Sequence, residues 1–428
     1  MCTFNKYLCK IKIWHVKIVG PTALSRWNSK TVISPPIIRP VMDKVAVSPH
    51  NPILRGSKVI VYDSTLRDGE QTPGVAFSME QKVAIARMLD DARVHQIEAG
   101  FPAVSENEVR TIREIASLGL NADILGLSRV TKGDIDAAVD AGVDMVLLFV
   151  GTSDIHLKYK MKKTREEVLQ MTAEALDHCR SRGVPASVSA EDTTRTEIDY
   201  LMQFYREAES NGAVRVGVTD TLGCATPEAI TDLVTLARKE VKVPVALHLH
   251  NDFGLATANA IAGVKAGASA VTTTVNGIGE RAGNVPLEQF AVALKYLYGL
   301  DIGIDCTKMK ALSDFVCHAS GLHKPRNQPL VGTNVFAHES GIHVAAILNC
   351  PMTYESIPPE SVGNERHIIM GKKTGVNYVK RRLEEMRVQA TDQQAAEICK
   401  RIKELGEKKG RVSNAEFNTI VAQVMPRA

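Results

Sequence analysis

Two histidines two residues apart, His248 and His250, close an apolar run and open a polar one in Leu247-His248-Leu249-His250-Asn251-Asp252. On a β-strand, residues i and i+2 point to the same side, so the imidazoles project together while Leu247 and Leu249 face the other way. Two imidazoles on one face are half of a divalent-metal site that needs one or two oxygen ligands more. A pair of hydrogen-bonded core histidines is the plain alternative. The missing carboxylate is available in Asp63-Ser64-Thr65-Leu66-Arg67-Asp68-Gly69-Glu70-Gln71, where Asp68 is a candidate ligand and Arg67 a candidate holder of a substrate oxyanion. A salt-bridged turn would read the same way. Three more polar runs close apolar stretches: Ser189-Ala190-Glu191-Asp192-Thr193-Thr194-Arg195, Thr219-Asp220-Thr221-Leu222-Gly223, and the glycine-permitted loop from Asn276 through Glu280 and Arg281 to Asn284.

These runs need a scaffold that gathers distant segments of chain. From Lys58 onward, short apolar runs alternate with helical stretches, which argues βαβ units and a parallel sheet. The strand candidates are Val59–Tyr62, Gln96–Ala99, Ile124–Leu127, Met145–Val150, Ala186–Ser189, Val214–Val218, Val245–Leu249 and Ala270–Val275. Helical spacing fills Met79–Ala92, Arg165–Arg182, Thr196–Asn211 and Pro227–Lys239 between them. Eight such units in about 250 residues is the size of a (β/α)8 barrel, whose catalytic groups sit at the C-terminal ends of the strands. A doubly wound sheet would want a glycine-rich fingerprint after its first strand, and there is none. After Gly299 the pattern turns to helices, a Gly/Pro-broken middle, and two terminal helices, Gly375–Met386 and Thr391–Glu407. The sequence predicts an α/β fold, a (β/α)8 TIM barrel over residues 58–299, with a smaller, mainly helical region over 300–428. Residues 1–57 are expected to be a basic, disordered extension.

The runs DSTLRDGEQ, SAEDTTRT, TDTLG, HLHND and NGIGERAGN, in this order, resemble the homocitrate synthase and 2-isopropylmalate synthase family of barrel metalloenzymes. The downstream FAHESGIHVAAI and the Thr353-Tyr354-Glu355 run match it as well. The resemblance implies a Claisen condensation: acetyl-CoA loses a methyl proton, the enolate attacks a 2-oxo acid, and the thioester is hydrolysed. It implies Asp68, His248 and His250 as ligands of zinc, manganese, cobalt or magnesium, with Asn284 near the remaining position. Arg67 and Glu191 are implied as catalytic, with Glu191 as acid/base and His343 and Tyr354 as its partners. Arg67, Thr221 and Ser189 are the expected substrate contacts, and Arg129, just after the third strand, is a candidate carboxylate clamp by its position. Because the family's equivalents of His343 and Tyr354 reach into the neighbouring subunit, the resemblance also implies a homodimer with shared active sites. His338 and Glu339 would buttress that loop, and Glu280 and Arg281 would support the metal site.

The acceptor is less plainly written. Lysine-pathway homocitrate synthases usually carry an arginine four residues before the catalytic glutamate, and this chain has Ser187 there. The run Leu222-Gly223-Cys224-Ala225-Thr226-Pro227 resembles the homocitrate branch, and Gly100-Phe101-Pro102-Ala103 the isopropylmalate branch. The balance favours 2-oxoglutarate, with 2-oxoisovalerate, pyruvate and oxaloacetate as alternatives. A retro-aldol lyase on the same barrel would lack the His343/Tyr354 module.

Composition excludes other classes. Of the 52 basic residues seven lie before Met42 with no acidic residue among them, so the body has a slight acidic excess and no reason to bind nucleic acid. The first 41 residues read as a targeting segment, a disordered tail or a stretch ahead of a working start at Met42, the last two being favoured. No run approaches the about 18 apolar residues of a membrane span. The 8 cysteines are scattered without metal or redox spacing and read as reduced thiols of a cytoplasmic protein. The basic run Ser153–Lys160, with Lys162, Lys163 and Arg165, could meet an acidic substrate or CoA phosphates, or be a solvated helix entry. Gly371-Lys372-Lys373-Thr374-Gly375 lacks P-loop spacing and is expected to cap a helix.

Overall fold

The computed structural model describes residues 45–425, so the expectations for the first 41 residues lie outside it. Eight parallel strands close into a barrel in sequence order: β1 (Ile60–Asp63), β2 (Gln96–Gly100), β3 (Asp123–Arg129), β4 (Met145–Gly151), β5 (Ala186–Glu191), β6 (Arg215–Asp220), β7 (Val245–Leu249) and β8 (Ala270–Thr273). Closure comes from β1 pairing with β8, Tyr62 opposite Thr272. Around them run α1 (Met79–Asp91), α2 (Glu106–Ala116), α3 (Lys132–Asp140), α4 (Arg165–Ser181), α5 (Ile198–Ser210), α6 (Pro227–Glu240), α7 (Ala256–Ala266) and α8 (Leu287–Val292). Ser78 with Gln81, and Thr164 with Glu167, form reciprocal capping boxes that start α1 and α4.

The strand residues sort by period two. Ile97, Val146, Leu148, Val188, Val216, Val218, Leu247 and Leu249 pack outward against the helices, while Tyr62, Leu125, Leu147, Ala246 and Ala270 fill the barrel interior. The eighth strand stops two residues before its expected end. Thr274 N–H turns to the carbonyl of Val285, and Asn276 takes φ 62, which ends the ladder and starts the polar loop.

Beyond the barrel come α9 (Met309–Ser320), β9 (Ala337–His338), α10 (Gly341–Asn349), β10 (His367–Ile368), α11 (Val376–Glu385), α12 (Asp392–Lys409) and α13 (Asn414–Val424). Gly375 is the residue from which α11 starts. The last helix was not foreseen, although Phe417, Ile420 and Val421 bury one face of it and a Ser413/Glu416 capping box starts it. Apolar residues from Leu300 to Val362 share the barrel's core, whereas a second core begins at Met370 and gathers Val379, Leu383, Ile398, Ile402 and Phe417. The composition break at Gly299 therefore marks the end of the β/α repeats and not of the core they build. At the other end, residues 45–57 depart from the expected disorder. Ala46 N–H donates to the Ser356 carbonyl and Leu54 N–H to that of Tyr298, with Val45 and Leu54 packed on the core. Among the described residues, no helix is long and apolar enough to cross a membrane.

Candidate active site

A cavity of about 360 Å³ opens at the C-terminal ends of the strands. The first strand delivers Arg67 and Asp68 to it through a tight turn. Arg67 Nε and Nη2 donate to the two oxygens of Glu98 on β2, at 2.7 and 3.0 Å, and Nη1 donates to Asp68 at 2.6 Å. A planar guanidinium clamped on two carboxylates, with Nη1 also donating to Gln71, has little rotational freedom left, so Arg67 is held in place where it lines the cavity.

The seventh strand delivers the two imidazoles. His248 Nε2 lies 3.5 Å from Asp68 Oδ2 and 3.2 Å from His250 Nε2. Asp68, His248 and His250 offer three donor atoms within 4.8 Å of one another. Two ligands about 2.1 Å from a tetrahedral ion stand about 3.4 Å apart, so the imidazole spacing suits a shared cation. Asn284 Nδ2 donates to Asp68 Oδ1 at 2.7 Å. Its Oδ1 is buried without a hydrogen-bond partner, as is His250 Nδ1. Buried polar atoms are seldom left orphaned, and the open Asn284 oxygen beside the Asp68 carboxylate and the two facing imidazole nitrogens make the donor set of a divalent metal. Burial opposes ionisation of Asp68, yet Arg67 and the two imidazoles outweigh it and hold its carboxyl well below the usual carboxylate range. Burial, with His248 beside it, pushes His250 down to about 4, into the neutral form that binds metals. The residues present fit the group.

The opposite wall comes from β4 to β6. Glu191 ends β5, four strands from β1 in either direction around the ring. Lys160, from a π-helical turn at His156–Met161, reaches both Glu191 oxygens at 2.6 Å. Thr221 Oγ1 accepts from Asp192 N–H at 2.8 Å, which leaves its hydroxyl proton free for a ligand. Ser189 lines the cavity beside Gly217, where a Cβ would stand 2.4 Å from Ser189 Oγ, so the glycine keeps that hydroxyl in place. Arg281 clamps Asp252 and the Thr221 carbonyl, tying the last loop to β6.

The cavity lining thus joins Arg67, Asp68, Ser189, Glu191, Thr221, His248 and His250. Asn284 stands directly behind Asp68. Arg129 is not brought in: its side chain is 59% exposed, pairs with Asp134 at 2.6 Å, and lies over the Phe101 ring. His343 and Tyr354 stack on each other with ring centroids 3.9 Å apart, both exposed and neither lining the cavity of their own barrel. Beneath them the buried Glu355 accepts from Arg366 Nε at 2.7 Å and faces His338 Nε2 at 3.0 Å. Glu339 accepts from Lys373 N–H. Sequence reasoning missed Glu98 and the unpartnered buried hydroxyl of Thr219 in the cavity. The signal for Glu98 was present: in Gln96-Ile97-Glu98-Ala99 two polar residues alternate with two apolar ones, which points a carboxylate into the barrel.

Residues 58–316 match the HMGL-like family model, and residues 330–410 match the homocitrate synthase post-HMGL domain-like model. The chain is 50% identical to "Homocitrate synthase AksA" of Methanopyrus kandleri, over 86% of this chain and 93% of that one. The chain belongs to this synthase family. The "Probable 2-isopropylmalate synthase" of the same organism is also 50% identical, over 82% of this chain and 70% of that one. A putative (R)-citramalate synthase of M. kandleri is 45% identical, over 86% and 73%. Family membership makes the protein an acetyl-CoA-condensing acyltransferase with a 2-oxo acid as co-substrate. In fold, the barrel is similar to the HMG-CoA lyase of Bacillus subtilis, at a TM-score of 0.58 and 17% identity, covering 64% of this chain and 97% of that one.

Proposed function

We propose that the protein condenses acetyl-CoA with 2-oxoglutarate to homocitrate, as a cytoplasmic homodimer whose two sites are each completed by the partner copy. The observation that carries the chemistry is one cavity that joins Arg67 and Asp68, delivered by β1, and the imidazoles of His248 and His250 with Glu191, at the end of β5 on the far side of the ring from β1. Asp68, His248 and His250, with Asn284 beside them, would hold a divalent metal, which would supply Lewis acidity for polarising the 2-oxo acid. Arg67, fixed by Glu98, donates to the oxyanion that develops as the new bond forms. Thr221 donates a hydrogen bond from its hydroxyl to the acceptor's carboxylate, and Ser189 lines the space for its side chain. Glu191 takes the methyl proton of acetyl-CoA. His343 and Tyr354 of a second copy assist it and position water for thioester hydrolysis.

The shared site is supported by the exposure of the C-terminal pair. Ile342, Leu348, Met352 and Tyr354 are 77%, 41%, 40% and 47% exposed, an apolar patch carrying the two catalytic candidates outward. The 2-oxoglutarate reading is supported by homocitrate synthases at 46–50% identity. A second reading, 2-oxoisovalerate, is supported by the apolar wall of Leu127, Leu147 and Phe149. Arg129 enters as a rim contact only. The test is release of CoA thiol from acetyl-CoA with added divalent metal, across 2-oxoglutarate, 2-oxoisovalerate, pyruvate and oxaloacetate. Preference for 2-oxoglutarate is the expected result, and preference for a monocarboxylic acceptor would overturn the homocitrate assignment.

A further inference from the structure

Lys160 occupies the fifth position of the six-residue π-helical turn His156–Met161, which ends at Lys162 with φ 53. Such turns are rare and frequent at functional sites, although a second one, at Ala293–Leu297, lies away from the cavity. Its ammonium lies 2.6 Å from each oxygen of Glu191 and 5.9 Å from the centre of the Phe149 ring, and the side chain is 48% exposed. The bridge uses one lone pair on each Glu191 oxygen and leaves one on each open to a C–H bond, so base and cation stand side by side at one place in the cavity.

Acetyl-CoA that brings its methyl group to Glu191 also brings its thioester within reach of Lys160, and geometry sets how close the two come. A base oxygen in working position is about 3 Å from the methyl carbon. With ordinary C–C and C=O bonds, the thioester oxygen is about 2.4 Å from that carbon. An ammonium that starts in contact with Glu191 is within one side-chain swing of the thioester oxygen, and a four-carbon stem allows that swing. Arg67 and Arg281, the other strong cations lining the cavity, are fixed on Glu98 and Asp68 and on Asp252. Lys160 is the cation on the Glu191 wall.

We propose that Lys160 is a catalytic residue that holds the thioester oxygen of acetyl-CoA and carries the charge of the enolate that Glu191 generates. The inference rests on the condensation proposed above. In the step, a Glu191 oxygen takes a methyl proton, the C–H pair becomes the C=C bond, and the carbonyl π pair moves onto the thioester oxygen, which accepts a hydrogen bond from Lys160 Nζ. The enolate carbon then gives its pair to the ketone carbon of the 2-oxo acid, the thioester C=O re-forms, and the charge passes to the ketone oxygen beside Arg67.

The test compares wild type, Lys160→Met and Lys160→Arg in two measurements. One is exchange of acetyl-CoA methyl hydrogens for deuterium in D2O with the 2-oxo acid bound. The other is binding of acetyl-CoA and of a carboxymethyl-dethia-CoA, whose carboxylate has the charge and shape of the enolate. Lys160→Met should slow exchange about 10²- to 10³-fold. It should weaken the analogue about 10²-fold while the Kd for acetyl-CoA moves less than about threefold. Lys160→Arg should recover part of both losses, which shows that the fold is intact. Exchange at the wild-type rate in Lys160→Met would overturn the proposal. So would equal weakening of analogue and acetyl-CoA, which marks a ground-state contact, or lost exchange with analogue binding intact, which leaves Lys160 only positioning Glu191. Wild-type protein that neither exchanges nor releases CoA with any acceptor would overturn the condensation itself along with this role.

Discussion

The barrel mouth and the segment from Phe336 to Arg366 hold their polar groups in opposite ways. At the mouth, each functional side chain leaves a strand end and is gripped by a neighbour: Arg67 by Glu98, Asp68 by Asn284, and Thr221 by the amide of Asp192. In the C-terminal segment the gripped charges are the supports. Glu355 is buried between Arg366 and His338, whereas His343 and Tyr354 stack in the open on the far side of that support. The mouth is preorganised around a small cavity, and the segment holds two stacked, exposed groups that do not line the cavity of their own barrel. A fixed scaffold suits metal and oxyanion binding, where half an ångström matters. A presented pair suits a site completed by docking.

The sharpest way to break that contrast is at its most preorganised point. His248→Ala should lose stoichiometric metal and about 10⁴-fold in turnover together, read by elemental analysis and CoA release, because the remaining carboxylate and imidazole cannot close a coordination sphere. Retained metal with activity would sink the ligand assignment. On the opposite wall, Glu191→Gln should lower exchange of acetyl-CoA methyl protons about 10³-fold while the 2-oxo acid still binds, since the amide keeps the shape and loses the base. In the presented pair, His343→Ala should cost about 10²-fold in kcat with metal content unchanged, because nothing in the mouth leans on it.

Stability should separate the regions too. Asp63, beneath the mouth at the end of β1, is raised to about 7, chiefly by burial against its hydrogen bonds from Thr65 and Thr273. An unfolded aspartate ionises near 3.9, so between about 4 and about 7 the native state holds the extra proton. Stability then falls as pH rises through that window, by at most about 1.4 kcal/mol per pH unit, and levels off above it. Glu355 has the reverse sign: Arg366 and His338 outweigh its burial and lower its pKa, so its contribution is present at neutral pH and fades in acid. The difference in urea midpoint between wild type and Asp63→Asn should grow from pH 5 to pH 7 in favour of the variant, and a constant difference would contradict the assignment. The smallest effect is expected at Arg129→Ala, below about threefold in any KM, since its exposed pair with Asp134 is a surface contact.

The barrel was legible because parallel strands buried on both faces read as apolar runs, and because the candidate site residues of the mouth follow those runs in order. Strand ends moved by a residue or two where loops pulled, as at Thr274. Glu98 escaped notice because no polar run surrounds it and it acts by holding Arg67 across strands. Lys160 was visible as part of a basic run, but its contact with Glu191 depends on a π-helical turn that no local pattern announces. The placement of residues 45–57 was hidden for a similar reason: Ala46 and Leu54 find their partners on Ser356 and Tyr298, far away in sequence. His343 and Tyr354 were singled out by resemblance alone, while their stacking and exposure are properties of the fold.

The claim that one site draws on both regions, from two copies, is tested most directly by mixing. Arg67→Ala and His343→Ala protomers, each nearly inactive alone, are unfolded, refolded together and assayed for CoA release. Random pairing makes half the dimers mixed, and a shared site leaves each mixed dimer one intact centre, so about a quarter of wild-type activity should return. Mixed dimers, verified by mass, that stay as inactive as the parents would place His343 and Arg67 in the same copy's site and contradict the account.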